Sequence, residues 1–203
     1  MKSYPRIDSV FHPDVNHVFD KLDGSNIRAE WTKKKGFCKF GRRRGLLDDS
    51  NPILQRAPDL ILAKYGDSLS RIFREQRWQK AIAFFEFWGP NSAYGGHDEN
   101  EQQDVTLIDV AADKKGIVPP RNFMKLFGDV DHAALLYQGP VYFSILDQAR
   151  DGTLEGMTFE GIVCKGPCTR PGLPIMSKVK NKAWLEGLHG YCNGDEDLFR
   201  RLQ

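Results

Sequence analysis

An α+β fold built mainly of antiparallel sheet, flanked by helices, is predicted for this chain by three observations. Short segments of alternating apolar and polar residues recur, each bounded by turn residues, as in 15–31, 36–42 and 105–111. Only one long stretch, 59–77, carries helical spacing. The chain has 203 residues, 40% hydrophobic and 28% charged, enough for one sizeable core in an ordinary globular protein. No linker, internal repeat or low-complexity tract interrupts it, so residues 1–203 read as a single domain.

The elements follow in order. Residues 15–31, VNHVFDKLDGSNIRAEW, read as strand, tight turn and strand, with Asp23-Gly24 as the turn signal. A third strand is expected over 36–42. From Asp59 to Arg77 the residues Leu60, Ile61, Ala63, Leu69, Ile72 and Phe73 share one helical side, with Gly66 as an expected break. KAIAFFEFW, 80–88, is too aromatic and too short for a surface helix and reads as a buried strand. Its aromatic cluster is first a core. Residues 89–103 form a polar loop, and 105–111 return to strand. A short helix is expected within 119–136, and 141–146 fits strand or helix. FEGIVCKG, 159–166, reads as strand, 167–174 as a Pro/Gly-rich loop, and 176–184 as a last strand. DEDLFRRL closes the chain as a short helix, with Asn193 or Asp195 near its cap.

Several function classes are excluded. MKSYPRID has no apolar stretch after its lysine and is no signal peptide; no run approaches the roughly 20 apolar residues of a membrane span. The four cysteines, Cys38, Cys164, Cys168 and Cys192, have no zinc-ligand spacing and read as reduced thiols of a cytoplasmic protein. The five histidines lack it too. Neither a phosphate-binding P-loop nor the glycine fingerprint of a dinucleotide fold is present. The net charge of +2 points to no partner, but Lys33, Lys34, Lys35, Lys39, Arg42, Arg43 and Arg44 crowd one stretch. That stretch is either a phosphate-attracting face or a solvated basic hairpin.

Charged residues placed inside apolar strands carry more information. They are Lys21 in VFDKLDG, Glu86 in FFEFWG, Glu160 in TFEGIVCKG, and Lys178 and Lys180 in MSKVKN. A buried charge is costly unless it meets a partner or ligand. Lys178 and Lys180 are two apart and share a strand face, where they repel unless an anion lies between them. Phosphate suits that place, and the glutamates suit Mg²⁺. Together these groups point to phosphoryl or nucleotidyl transfer. The alternative is structural: snorkelling lysines and ordinary salt bridges.

The order of segments resembles the covalent nucleotidyltransferase superfamily of DNA ligases, RNA ligases and mRNA capping enzymes. Lys21-Leu22-Asp23-Gly24-Ser25-Asn26 is similar to its first motif, K-x-[DH]-G-x-N. FFEFWG around Glu86 resembles the third motif, LIDV at 107–110 the segment after it, EGIVCK at 160–165 the fourth, and SKVKN at 177–181 the fifth. Asn26 stands where DNA ligases and capping enzymes have arginine and nick-sealing RNA ligases, related to the RNA-editing ligases, have asparagine. The resemblance thus implies a nucleotidyltransferase (ATP-grasp-like ligase adenylation) domain and an ATP-dependent RNA ligase. Such an enzyme joins 3′-OH and 5′-phosphate ends through a lysyl-AMP intermediate.

By that resemblance Lys21 is the nucleophile and Asp20 lies at the adenine edge. Asn26 helps place metal waters, Glu86 holds the ribose hydroxyls, and Glu160 holds a metal-bound water. Ile108 and Val163 line the adenine slot, and Lys178 and Lys180 grip the α-phosphate region. Arg43 fits the family's R-x-G arginine best, and Arg42 nearly as well. ATP and Mg²⁺ (or Mn²⁺) are the implied cofactors, and RNA ends or a nicked duplex the implied partner, with DNA as an alternative. The cations Lys178, Lys180 and Mg²⁺ are expected to lower the Lys21 pKa from its reference of about 10.4. Two departures stand out. Ile108 occupies a place the family usually gives an aromatic residue, which leaves base choice open. Residues 181–203 leave no room for the C-terminal domain the family commonly adds, so the chain is a minimal ligase, relies on a partner, or is truncated. Rival readings are a DNA ligase, a GTP-using capping-type enzyme, and a non-catalytic RNA-end binding protein.

Overall fold

Residues 1–43, 45–48, 52–90 and 100–203 are described by the computed structural model. Strand β1 (His17–Lys21) is followed by β2 (Gly24–Thr32), β3 (Gly36–Arg42) and β4 (Gly45–Leu46). A 3₁₀ turn, Pro52–Arg56, leads into helix α1 (Ala57–Glu75). Then come β5 (Lys80–Trp88), β6 (Asp104–Ala112), β7 (Gly116–Ile117), α2 (Pro120–Phe127), β8 (Leu135–Gln138) and α3 (Phe143–Asp151). The chain closes with β9 (Gly161–Arg170), β10 (Leu173–Lys180), α4 (Lys182–Cys192) and α5 (Glu196–Leu202).

The strands form two antiparallel sheets. One has the order β10-β9-β1-β8, the other β4-β3-β2-β5-β6-β7. The strand, turn and strand expected over 15–31 are present as β1 and β2, which lie in different sheets. β1 pairs with β8 and β9, whereas β2 pairs with β3 and β5, so the chain changes sheets at Asp23 instead of folding back. The local turn signal is real, but strand pairing is decided by which buried faces meet.

Alternation then assigns the faces. Ile27, Ala29, Trp31, Ala83, Phe85 and Phe87 turn outward from the six-stranded sheet into a core covered by α1, with Ile61, Tyr65, Leu69 and Phe73. Val18, Ile162, Cys164 and Val179 turn outward from the four-stranded sheet onto Ile145, Leu146 and Ala149 of α3. Ile82, Phe84 and Ala111 of the larger sheet pack with Met176 of the smaller one, so the two inner faces look at each other.

Other expectations fare unevenly. α1 runs unbroken through Gly66, where an added Cβ would meet nothing within 4 Å. A glycine at such an open position costs about 1 kcal/mol and need not end a helix. The segment 141–146 contributes the start of α3. The Pro/Gly-rich stretch 167–174 is mostly strand, with only Pro171-Gly172 between β9 and β10. The strand expected over 176–184 stops at Lys180, because Asn181 Oδ1 accepts from the N–H of Ala183 (2.7 Å) and Trp184 (3.4 Å) and starts α4. Asp195 caps α5, while Asn193 takes the left-handed position that ends α4. Arg44, His97 and residues 91–99 of the expected polar loop lie outside the described residues. All four cysteines are free thiols, and no described helix is long and apolar enough to cross a membrane.

Candidate active site between the two sheets

β1 ends at Lys21, and its register fixes what lies beside the lysine. Lys21 is opposite Gly161 of β9, and Gly161 is opposite Lys180 of β10. The next row on the same face is Phe19, Val163 and Lys178. Lys21, Lys178, Lys180 and Val163 therefore share one inner face, and Cys164 lies on the opposite one, as strand alternation requires. The centre of the first row has to be glycine. Gly161 has φ +139°, and a Cβ there would lie 2.1 Å from the carbonyl oxygen of Val179.

Glu160 precedes that glycine and serves both lysines. Its Oε2 accepts from Lys21 Nζ at 2.5 Å, and its Oε1 accepts from Lys180 Nζ. Lys180 also lies 3.6 Å from the ring centre of Trp184, whose indole N–H donates to Asp23 Oδ2 at 3.2 Å. Asn26 and Glu86, directly opposite each other on β2 and β5, close the site from the other sheet.

Among the protein's own groups, carboxylates dominate the electrostatics at Lys21. Burial pulls Lys21 down, but Glu160, Glu86 and Asp23 outweigh it and hold Lys21 above its ordinary value. The downward shift falls on Lys180, which burial and Lys21 bring to about 8. Burial, helped by Glu160 and Asp23 and opposed by Lys21, pushes Glu86 up to about 8. Asp20 is also raised, first by burial, although Thr158 N and Thr158 Oγ1 donate to its carboxylate at 2.9 Å each.

Most of the expected site residues meet here. Lys21, Asn26, Glu86, Glu160, Val163, Lys178 and Lys180 do so. The Asp20 carboxylate is turned to Thr158, on the other side of β1 from Lys21. Ile108 packs in the cluster between the sheets with Phe84 and Met176. The basic stretch divides: Lys33, Lys34 and Lys35 sit at the β2–β3 turn, about eight residues or roughly 26 Å along β2 from its start. Arg42 and Arg43 lie at the near end, with Arg42 opposite Ile27.

Some residues were missed by the sequence reading. Lys165 donates to Asp109 Oδ2 and to the carbonyl of Ile108, both at 2.8 Å, and Tyr4 OH donates to the same Asp109 oxygen. Arg28, 4% exposed, lies on the inner face beyond Asn26. Both were detectable as further charges inside apolar strands. Trp184 lies at the end of a segment with strand-like alternation, a pattern that hides its approach to Lys180.

Hard oxygen donors suited to Mg²⁺ or Mn²⁺ are present. The Oδ1 of Asn26 is buried without a hydrogen-bond partner, beside Glu86 and within the same site as Glu160. No set of three or more His, Cys, Asp or Glu among the described residues forms a ready metal cage. Such a donor set fits an ion that keeps waters and shares phosphate oxygens.

Neither family models nor curated proteins match this sequence. Solved structures do. An archaeal ATP-dependent RNA ligase superposes with a TM-score of 0.70 at 17% identity, over 95% of this chain and 52% of its own. The fold is that of the RNA ligases. A variant of Naegleria gruberi RNA ligase with ATP and Mn shares this ligase fold, with a TM-score of 0.61 at 19% identity over 86% of this chain and 52% of its own. The same enzyme with PPi gives 0.60 at 20% over 86% and 51%. The chain thus spans about half the length of the ligases it matches.

Proposed function

We propose that this chain is an ATP-dependent RNA ligase domain that carries AMP on Lys21. The observation that carries the reading is the row Lys21–Gly161–Lys180 with Glu160 bonded to both lysines, set within a ligase fold. A lysine at a strand end, ringed by two further lysines and two glutamates, suits attack on a phosphate better than a structural ion pair, which needs one partner.

The residues divide the work. Lys21 attacks the α-phosphorus of ATP, its Nζ–P bond forms and pyrophosphate leaves. Lys178 and Lys180 stabilise charge on the phosphoryl oxygens as it transfers. Lys21 must first release a proton to solvent, which its contact with Glu160 opposes, before the Nζ lone pair can attack. A divalent cation held through water by Glu160 and Asn26 would supply charge neutralisation on the phosphates and compete for the Glu160 carboxylate. In this reading Glu86 accepts from the ribose hydroxyls, and Val163 and Ile108 border the base. AMP then passes to a 5′-phosphate end, and a 3′-OH displaces it.

Incubation with ATP and Mg²⁺ followed by intact mass measurement tests this. Wild type should gain one AMP and Lys21→Ala none. Lys178→Ala and Lys180→Ala should each slow the gain by about tenfold or more. An AMP adduct on folded Lys21→Ala would overturn the nucleophile. Substituting GTP, and offering nicked RNA beside nicked DNA, separates the capping and DNA-ligase readings.

A further inference from the structure

Arg28 has no role in the reaction above, yet it is a buried cation with no carboxylate partner among the described residues. Its guanidinium donates to three neutral acceptors: the carbonyl of Met1 (3.1 Å), Ser3 Oγ (3.3 Å) and the carbonyl of Gly45 (3.0 Å). Its Nε–H is buried and has no partner. The nearby Glu30 is within ion-pair distance of Lys80 (2.7 Å) and Lys39 (3.9 Å), although its buried Oε2 makes no hydrogen bond. An uncompensated buried charge costs several kcal/mol, and an unmet N–H adds to it.

The surroundings are built to keep the guanidinium there. Gly41 faces Arg28 across the β2–β3 ladder. A Cβ at Gly41 would lie 2.6 Å from the Gly45 carbonyl and 3.3 Å from Arg28 Nη2. The bare glycine lets the guanidinium lie over β3. Beside it opens a pocket of about 410 Å³, whose lining adds Lys39, Arg43 and Ser3 to Arg28 and, among the described residues, no carboxylate.

The pocket also connects to the lysine site. Arg28 and Asn26 are two residues apart on β2 and share its inner face. Lys178 is held below its ordinary value by burial and by Lys21, and to a smaller degree by the charges of Arg6 and Arg43.

We propose that the Arg28 pocket is a second anion site, which takes a phosphate group at the end of a line of cations beginning at Lys21. The chemistry required is a tetrahedral oxyanion drawn by the Arg28 charge and bonded by Arg43 and Lys39, which share the lining of the pocket. Two sources offer such a group: the outer phosphates of ATP and a backbone phosphate of the RNA strand. The choice between them rests on the ligase reading; the anion site itself does not.

The test follows the Arg28 Nε–H resonance by ¹⁵N NMR, assigned by its disappearance in Arg28→Lys, during titration with inorganic phosphate at constant ionic strength. A saturable shift is expected, absent with chloride. The exposed-residue variant Arg43→Ala/Lys39→Ala should keep the wild-type melting temperature and bind phosphate about tenfold more weakly. No saturable shift, an equal response to chloride, or an unchanged midpoint in the double variant would overturn the site. In a Lys21→Ala background, displacement of phosphate by ATP assigns the site to the nucleotide. Displacement by a 5′-phosphorylated RNA oligonucleotide and not by ATP assigns it to the strand. Displacement by neither overturns its connection to the lysine site. The AMP mass gain is read separately, so either proposal can fail without the other.

Discussion

Lys21 and Lys180 share one glutamate, yet their protons are held differently. Lys21 also faces Glu86 and Asp23, whereas Lys180 faces Lys21 and the Trp184 ring. The charges themselves were legible, because a lysine or glutamate inside an apolar strand needs a reason. The direction of the Lys21 shift was not, because the carboxylates that set it come from β5, from the residue before β9 and from the turn after Leu22. Glu86 gives a pH prediction. Its folded pKa near 8 lies above the ordinary 4.5, so between those values the folded state holds a proton that the unfolded chain has released. Stability from this group is present at low pH and falls as pH rises from about 4.5 to about 8. Glu86→Gln removes that loss, so its melting temperature should rise relative to wild type between pH 5 and pH 8. A constant difference across that range would show that Glu86 keeps an ordinary pKa.

At the scale of the element, the register of β1, β9 and β10 decides which charges meet. Gly161 is the part of that register least tolerant of change. In Gly161→Ala the Cβ meets the Val179 carbonyl and the backbone holds a φ of +139°. Such strain costs on the order of 1–3 kcal/mol, so a lower urea midpoint is expected, together with slower AMP gain from the displaced lysines. Equal stability would mean the β9–β10 register can shift without cost. Strand identity and the long helix were readable from periodicity. The end of β10 was not, because KVKNKAW continues an alternating pattern while the Asn181 cap redirects the backbone. The sheet membership of β1 and β2 was hidden too: a turn signal states that the chain bends and is silent on the partner beyond.

Across the whole molecule, links between the two sheets include apolar packing around Phe84 and Met176, the backbone hydrogen bond from Ile117 N to Gly172 O at 2.9 Å, and a buried ion pair. Lys165 and Asp109, with side chains 4% and 2% exposed, reach across from β9 to β6 at 2.8 Å. Lys165 also lies 4.7 Å from the Phe19 ring centre. Removing one partner strands the other charge, so Asp109→Asn should cost about 3–5 kcal/mol of unfolding free energy, whereas Asp109→Leu with Lys165→Met should cost much less. Denaturant unfolding of the three proteins checks this. A double variant as unstable as the single one would mark the pair as a source of stability in its own right.

The passage of the chain between sheets at Asp23 has a mechanical side. Lys21 is stitched to one wall and Asn26 to the other, with four residues of backbone between them. If the walls breathe, that short tether transmits the movement directly to the nucleophile. Cutting the chain beside Asp23 and rejoining it elsewhere would leave both walls laced together by their own ladders. It would nonetheless let the lysine lose step with the wall it works against.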